Sequence, residues 1–226
     1  MRKFLISIFL LSSLCISVNA AEPTKYIALT FDDGPSGRFT EALLEGLEER
    51  NVRATFFLCG YRLESYGDLA GQIRAQGHEI GLHGYSHESM ASMSPEAVSS
   101  ELTRTRALLP RDALVNLLRT PGGSQNEAVC SCAKNAGLAL IHWSVDPKDW
   151  ATSDRDLIYQ RIMSKTQDGD VILLHDMSES SVQAALMAVD TLQARGYQFL
   201  TVSQLAMLRL THLQSGGSFS AFPAHG

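Results

Sequence analysis

The stretch ALTFDDGPSG, residues Ala28–Gly37, places two adjacent aspartates, Asp32 and Asp33, where a short apolar run ends and a Gly-Pro turn begins. Asp, Gly and Pro are ordinary turn residues, so this stretch taken alone predicts a polar turn. The alternative is a site in which one carboxylate holds a metal and the other moves a proton. The rest of the chain decides between these two interpretations.

Seven apolar runs of this kind alternate with longer amphipathic segments. The predicted strands are Tyr26–Phe31, Arg53–Leu58, His78–Leu82, Ala113–Leu118, Leu138–Trp143, Asp170–Leu174 and Tyr197–Val202. The predicted helices are Thr40–Arg50, Glu64–Gln76, Ser94–Leu109, Asn126–Ala136, Ser153–Thr166, Ser180–Arg195 and Ser203–Leu210. Strict alternation of strands and helices indicates parallel strands, in either a barrel or an open doubly wound sheet.

Side chains able to carry chemistry stand at or just after the ends of these predicted strands. Beyond Asp32 and Asp33 they are His83, His87, Arg119, Asp146, Asp149, Trp150 and His175. In α/β barrels and sheets the active site forms at the carboxyl ends of the strands. The prediction of several clusters at that one edge favours a functional site over a chance polar turn at Asp32 and Asp33.

Three of these residues suit a metal ion. His83 and His87 offer neutral imidazoles, and with Asp33 they form a two-histidine, one-carboxylate set for zinc or a similar divalent ion. Such a set leaves coordination positions open, which is typical of catalytic sites. Non-haem iron oxygenases use the same set and are one alternative, but their chemistry leaves Asp32 and His175 unused.

The other polar residues suit proton transfer and orientation. A guanidinium at Arg119 would hold a neighbouring carboxylate ionised. His175 ends a buried strand and can act as an acid near neutral pH. Trp150, an aromatic residue predicted at the rim, either packs there or stacks on a sugar ring.

The first twenty residues have the features of a secretory signal peptide. Arg2 and Lys3 are basic, Phe4–Val18 is apolar, and Val18-Asn19-Ala20 forms a small-residue cleavage site. The apolar run is short for a bilayer span. We therefore expect cleavage after Ala20 and a soluble exported protein, periplasmic or extracellular, without stable membrane insertion.

Charge and length narrow the remaining options. Without Arg2 and Lys3 the 19 basic residues become 17 against 24 acidic ones, a formal net charge of −7 that argues against nucleic acid as a partner. Residues 21–226 are predicted to form one domain, with a core at 25–210 and a mobile tail at 211–226. The three cysteines of this domain are predicted to be small buried hydrophobic residues: Cys59, Cys130 and Cys132.

Five motifs in this order resemble those of polysaccharide deacetylases of the NodB-homology type, carbohydrate esterase family 4. Thr30–Pro35 matches TFDDGP, His83–His87 resembles H-[ST]-x-x-H, Arg119–Gly122 resembles R-P-P-[YG], Asp146–Trp150 matches D-x-x-D-W, and Leu173–His175 matches L-x-H. The resemblance spans about Lys25 to Leu210. The sequence departs from the family pattern at Gly84, where Ser or Thr is usual, and at Thr120, which replaces a proline.

The resemblance implies a distorted (β/α)7-8 barrel and a hydrolase of carbon–nitrogen bonds other than peptide bonds. The implied reaction removes acetyl groups from an N-acetylated, GlcNAc-type polysaccharide or oligosaccharide and releases acetate. Asp33, His83 and His87 would hold a divalent metal, zinc in the first place and cobalt as an alternative. Asp32 would be the general base, and His175 would protonate the leaving amine.

The resemblance also implies roles for the residues around this centre. Arg119 would tune and orient Asp32, and Asp149 would orient Arg119. The backbone N–H of Gly122 would stabilise the oxyanion, and Trp150 and Leu173 would line the acetyl pocket.

Two further alternatives remain open: an O-acetyl esterase acting on xylan-type polysaccharide, and a carbohydrate-binding module without catalysis. The substrate is equally open, because peptidoglycan, chitin-type oligosaccharides, poly-N-acetylglucosamine and xylan all carry acetyl groups. The oligomeric state is also left undecided.

Overall fold

The computed structural model describes residues 24–224, so the predicted signal peptide and its cleavage site lie outside the described residues. The eight strands are β1 (Lys25–Asp32), β2 (Thr55–Leu58), β3 (Glu79–Leu82), β4 (Leu117–Leu118), β5 (Ala139–Ile141), β6 (Val171–His175), β7 (Tyr197–Leu200) and β8 (Ser218–Phe219). The seven α-helices are α1 (Arg38–Glu49), α2 (Gly60–Ala75), α3 (Pro95–Ala107), α4 (Glu127–Asn135), α5 (Arg155–Lys165), α6 (Glu179–Ala194) and α7 (Val202–Leu208). Every predicted strand and helix is present, with its ends shifted by a few residues.

The strands form one parallel sheet in the order β6-β1-β2-β3-β4-β5-β8, and β7 pairs with the first half of β1. The segment after β5 turns back onto β6, where Val145 pairs with Ile172 and accepts a hydrogen bond of 2.9 Å from the backbone of Leu173. This contact curls the sheet into a distorted barrel. The predicted barrel is therefore confirmed, and the open doubly wound sheet is excluded.

Alternation along β1 decides which side chains enter the barrel. Ala28 belongs to the inner apolar cluster, whereas Ile27, Leu29 and Phe31 pack in the outer cluster against the helices. Because successive strand residues point to opposite faces, the even-numbered positions up to Asp32 face the interior. The carboxylate of Asp32 is thus directed into the barrel at its carboxyl end.

Helix α7 covers the opposite, amino end of the barrel. Its residues Val202, Leu205 and Ala206 are buried in the inner cluster. The first residue of β3, Glu79, accepts hydrogen bonds from the backbone N–H of Ser203 (3.2 Å) and from the hydroxyl of Thr55 (2.8 Å). The amino end is therefore filled with apolar side chains, and the carboxyl end is left for the site.

The segment after α7 is packed against the barrel. Strand β8 pairs with β5, and the backbone N–H of Phe222 donates to the carbonyl of Gly169 at 2.7 Å. The side chain of Phe222 is only 1% exposed. The prediction of a mobile tail from residue 211 is wrong for the residues described up to 224, because β5 offers a free edge and Phe222 fills the inner cluster.

Two other features of the described residues bear on the sequence predictions. None of the helices within residues 24–224 has the length and apolar character needed to cross a bilayer. Cys59 and Cys132 are buried free thiols, as predicted, and Cys130 is half-buried and also unpaired.

Candidate active site

The predicted functional residues meet in one cavity of about 310 Å³ at the carboxyl ends of the strands. It is lined by Asp32, Asp33, His83, His87, Gly122, Trp143, Asp146, Trp150, Leu173 and His175. Arg119 and Asp149 lie behind this lining, each in contact with one of its members. The carboxyl ends of five strands, or the segments that follow them, contribute to the cavity. This is expected when parallel strands end at one edge.

Asp33, His83 and His87 bring three ligand atoms within 4.8 Å of one another. Asp33 Oδ1 lies 3.2 Å from His83 Nε2 and 2.9 Å from His87 Nε2, yet it is buried without a hydrogen-bond partner. His83 Nδ1 donates to the carbonyl oxygen of Arg119 at 2.7 Å, because a carbonyl can only accept. The Nε2 lone pair of His83 therefore faces a carboxylate oxygen.

A cation bound by both atoms would relieve the close approach of the His83 Nε2 lone pair to this carboxylate oxygen. The set consists of two imidazoles and one carboxylate, which are good ligands for a divalent transition metal. The hydrogen bond on Nδ1 of His83 is the usual support for a ligating histidine. These residues therefore fit the metal ion that the sequence predicts.

Two of the three ligands have backbones in the left-handed region. Asp33 has φ of +69° and His87 has φ of +63°. Non-glycine residues rarely adopt this conformation, which costs on the order of 1–3 kcal/mol and persists only where surrounding contacts impose it. Burial raises the pKa of Asp33, but the two imidazoles outweigh burial and hold that pKa well below its usual range.

Asp32 is paired with a fully buried guanidinium. Arg119 is 0% exposed, and its Nη1 donates to Asp32 Oδ1 and to the hydroxyl of Thr30, both at 2.7 Å. The other donors of Arg119 reach the carbonyls of Ile141 (2.9 Å) and His142 (2.8 Å). Arg119 is thus held by four hydrogen bonds, one of which reaches the Asp32 carboxylate.

His175 is paired with Asp149. Its Nδ1 lies 2.8 Å from Asp149 Oδ1, and its backbone N–H donates to Asp149 Oδ2 at 2.8 Å. Burial lowers the pKa of His175, but the hydrogen bond and charge of Asp149, with the charges of Asp32 and Asp33, outweigh burial and raise that pKa to about 9. The imidazole is therefore protonated at neutral pH.

The prediction that Asp149 orients Arg119 is wrong. The hydrogen bonds of the Asp149 carboxylate go to His175, whereas the guanidinium of Arg119 is occupied by Asp32, Thr30 and two backbone carbonyls. The physical reason lies in the fold. Asp149 begins a short 3-10 turn that packs against β6, so its side chain reaches the end of that strand.

Three residues predicted to contact the substrate, Gly122, Trp150 and Leu173, line the cavity. Gly122 lies in a 3-10 turn after β4 with φ of +63°, Leu173 is buried in β6, and Trp150 is 64% exposed at the mouth. The sequence analysis did not predict that Trp143 lines the cavity. It could have done so, because Trp143 ends a predicted strand and the other site residues were identified by that position.

A further buried carboxylate, Asp176, lies next to the Asp32–Asp33 turn. Asp176 follows His175, is fully buried, and accepts a hydrogen bond from the hydroxyl of Thr40. Burial raises the pKa of Asp176 to about 6. A side chain at Gly34 would collide with this carboxylate, so Gly34 allows the Asp32–Asp33 turn to approach it closely.

Comparison with known proteins gives the family of this chain. A family model described as "Polysaccharide deacetylase" matches residues 19–141. A peptidoglycan-N-acetylglucosamine deacetylase from Bacillus cereus is 37% identical over 194 residues, which cover 83% of this chain and 90% of the relative. The chain belongs to the polysaccharide deacetylase family. The resemblance of the five motifs to carbohydrate esterase family 4 is thereby confirmed.

Other members of the polysaccharide deacetylase family are similar over comparable lengths. A chitooligosaccharide deacetylase from Rhizobium leguminosarum bv. trifolii is 30% identical over 203 residues, covering 82% of this chain and 94% of the relative. A family 4 acetyl xylan esterase from Clostridium thermocellum, solved in complex with a cobalt ion, superimposes with a TM-score of 0.81 at 28% identity and covers 88% of this chain and 100% of its own. This protein therefore has the family's barrel and a candidate metal site at the position where the family resemblance predicts it.

Proposed function

We propose that this protein is an exported, metal-dependent deacetylase that hydrolyses the N-acetyl groups of a GlcNAc-type polysaccharide or oligosaccharide. The observation that carries the proposal is the meeting of three units in one cavity. These units are the Asp33, His83 and His87 ligand set, the Asp32–Arg119 pair and the His175–Asp149 pair. Neither a binding module nor an oxygenase has a use for all three.

Asp32 removes a proton from the attacking water. The guanidinium of Arg119 donates a hydrogen bond to this carboxylate and orients it for the role of general base. A bound divalent metal, zinc in our proposal, supplies Lewis acidity that polarises the acetyl carbonyl and makes water more acidic. The oxygen of water adds to the carbonyl carbon, and the backbone N–H of Gly122 stabilises the resulting oxyanion.

His175 completes the reaction as the general acid. Asp149 holds Nδ1, so Nε2 is the nitrogen left to deliver a proton to the departing sugar amine. The carbon–nitrogen bond then breaks, the amine leaves with that proton, and acetate is released. The raised pKa of His175 keeps the imidazole charged and ready for this step at neutral pH.

The substrate class is supported by the relatives and by the shape of the cavity. Two relatives of similar length are, by name, deacetylases of peptidoglycan N-acetylglucosamine and of chitooligosaccharide. The cavity is of a size that admits an acetyl group and its sugar, with Leu173 on one wall and the exposed ring of Trp150 at the mouth. The signal-like residues 1–20 support export to the compartment where such polymers lie.

Acetate release from a panel of polymers tests the proposal. The panel contains peptidoglycan, chitin oligomers, poly-N-acetylglucosamine and O-acetylated xylan, each with and without a chelator. We expect release from at least one of the N-acetylated polymers, abolished by the chelator and restored by zinc or cobalt. Release from xylan alone, or full activity in verified metal-free protein, would contradict the proposal.

Mass spectrometry of protein from the native host should show a chain that starts at Ala21, and an intact Met1 would contradict export.

A further inference from the structure

Glu101 is a buried carboxylate outside the five motifs. It lies on α3, is 8% exposed, and directs Oε2 into the loop that follows β3. That single oxygen accepts hydrogen bonds from the backbone N–H of Tyr85 (2.6 Å), the backbone N–H of Ser86 (2.8 Å) and the hydroxyl of Ser86 (3.1 Å). Hydrogen bonds from backbone N–H groups to a carboxylate are among the stronger ones in proteins.

Tyr85 and Ser86 are the residues just before the second histidine ligand, so these bonds determine where the chain enters His87. The loop is strained at His87, a non-glycine residue with φ of +63°, whereas Gly84 adopts its φ of +79° without steric cost. His87 also has 41% of its side chain exposed, so few packing contacts hold it. Its position therefore depends on the backbone that precedes it.

The space around Gly84 shows that the loop and Glu101 fit each other closely. A Cβ added at Gly84 would lie 3.2 Å from Glu101 Oε2 and 2.7 Å from the Cε of Met90. The carboxylate of Glu101 therefore occupies part of the space that a side chain at position 84 would need. The departure from the family pattern at Gly84 is consistent with a loop that is held from α3.

We propose that Glu101 is a positioning residue for the metal site, which holds His87 in its ligating position through the Tyr85–Ser86 turn. This inference deepens the proposed function in that it takes Asp33, His83 and His87 as metal ligands. Glu101 touches neither substrate nor metal. It acts by fixing a strained loop before a metal ion arrives, so it should set the affinity for the ion.

Zinc affinity of three variants tests this role, measured by competition with a chromophoric chelator. Glu101→Met has a side chain of similar length without an acceptor, and we expect its zinc dissociation constant to rise about 10- to 100-fold, the range found for residues that support metal ligands. Glu101→Gln keeps an oxygen that can accept the two backbone bonds, without the charge, so its zinc dissociation constant should rise less than that of Glu101→Met. The visible spectrum of the cobalt-loaded protein should change in Glu101→Met and be unchanged in Glu101→Gln.

Glu79→Met is the matched control, because Glu79 is also a carboxylate that accepts a backbone and a hydroxyl hydrogen bond, but at the amino end of the barrel. The Glu79→Met substitution should lower the midpoint temperature of thermal unfolding and leave the affinity for zinc unchanged. If Glu101→Met behaves in the same way, with native zinc affinity and cobalt spectrum, Glu101 has only a structural role and the proposal is overturned.

A fourth variant keeps the test decisive if Glu101→Met does not fold. Glu101→Asp draws the carboxylate back by one methylene from the two N–H groups, and we expect its zinc dissociation constant to rise. An unchanged constant in folded Glu101→Asp would also overturn the proposal. These measurements do not depend on turnover. Wild-type protein that binds zinc but releases no acetate would defeat the proposed function and leave the zinc comparison valid.

Discussion

His83 and His175 show how one residue type serves two purposes at the same site. Both donate from Nδ1 and present Nε2, but the acceptors differ. The carbonyl of Arg119 fixes the tautomer of His83 without adding charge, which suits a neutral metal ligand. The carboxylate of Asp149 stabilises the imidazolium form of His175, which suits an acid. The partner of Nδ1 thus decides the function of each ring.

The division of labour between Asp32 and His175 is testable with two substrates. His175→Ala should lose far more activity on an N-acetylglucosamine oligomer than on an aryl acetate, because an aryl oxide leaves without a proton. Asp32→Asn should lose about 10²- to 10⁴-fold on both substrates, since each needs an activated water. Acetate release and zinc content are measured for both variants. Equal losses of His175→Ala on the two substrates would mean that this histidine positions the substrate.

Asp149→Asn tests the corrected pairing with His175. The carboxylate of Asp149 raises the pKa of His175, so removing the charge of Asp149 should lower that pKa. The basic limb of the pH profile of kcat/KM should then move to lower pH. The limb is measured together with an NMR titration of the His175 ring. Asp190→Asn on the exposed face of α6 removes an equal charge away from the site and should leave the limb in place. A limb unmoved in Asp149→Asn would contradict the pairing.

At the scale of the elements, the ends of two strands deliver parts of the site that a helix or turn behind them holds in place. The segment after β3 carries His83 and His87 and is held by α3 through Glu101. The end of β6 carries His175 and is held by the 3-10 turn that contains Asp149. His87 and His175 are therefore held by side chains, Glu101 and Asp149, that do not themselves line the cavity.

The C-terminal segment is an element whose contribution can be measured. Phe222→Ala leaves a space in the inner cluster and should lower the free energy of unfolding by about 3 kcal/mol, as usual for a buried phenylalanine. Urea unfolding gives this value, and Met207→Ala on the exposed face of α7 is the control, with an expected change below about 0.5 kcal/mol. If Phe222→Ala changes the free energy of unfolding as little as the control does, the C-terminal segment does not contribute to stability and the prediction of a mobile tail is supported.

At the scale of the whole molecule, the buried ring of His78 couples stability to pH. Its Nδ1 accepts from the backbone N–H of Ala54 at 3.1 Å, and burial, with the charge of Arg53, lowers its pKa from 6.5 to about 4. Between these two pH values the unfolded chain binds a proton that the folded chain does not. Stability contributed by neutral His78 is therefore present above pH 6.5 and is lost as the pH falls towards 4, by about 3 kcal/mol in all.

The free energy of unfolding measured from pH 8 to pH 4 checks this coupling. His78→Gln should flatten the decline between pH 6.5 and 4, although it also lowers stability at pH 8. His212→Gln, which changes an exposed histidine, should follow wild type at every pH. A decline of the same size in His78→Gln would assign the acid sensitivity to other groups.

The sequence by itself determined the fold class and the chemistry of the centre. Strict alternation of apolar and amphipathic runs requires parallel strands, and parallel strands end at one edge, so residues such as Asp33, His83 and His175 had to meet there. The choice of residue types then predicted a metal, a base and an acid. The parallel sheet and the meeting of these residues follow from local pattern and from the geometry of parallel sheets, whereas the barrel and the individual roles of Asp32 and His175 were implied by the family resemblance.

Only the tertiary structure decided which partner each side chain takes. The sequence predicted that Asp149 contacts Arg119, and its contact with His175 instead depends on distances that no local pattern encodes. Glu101 stands at a position of α3 that is buried with Val98, Leu102 and Thr105, so its place on that face could be found, but its acceptance of two N–H groups could not. Strand β8 has only two residues, too few to show an alternation of apolar and polar side chains. It forms because β5 leaves a free edge and the inner cluster leaves room for Phe222, and both exist only once the barrel has closed.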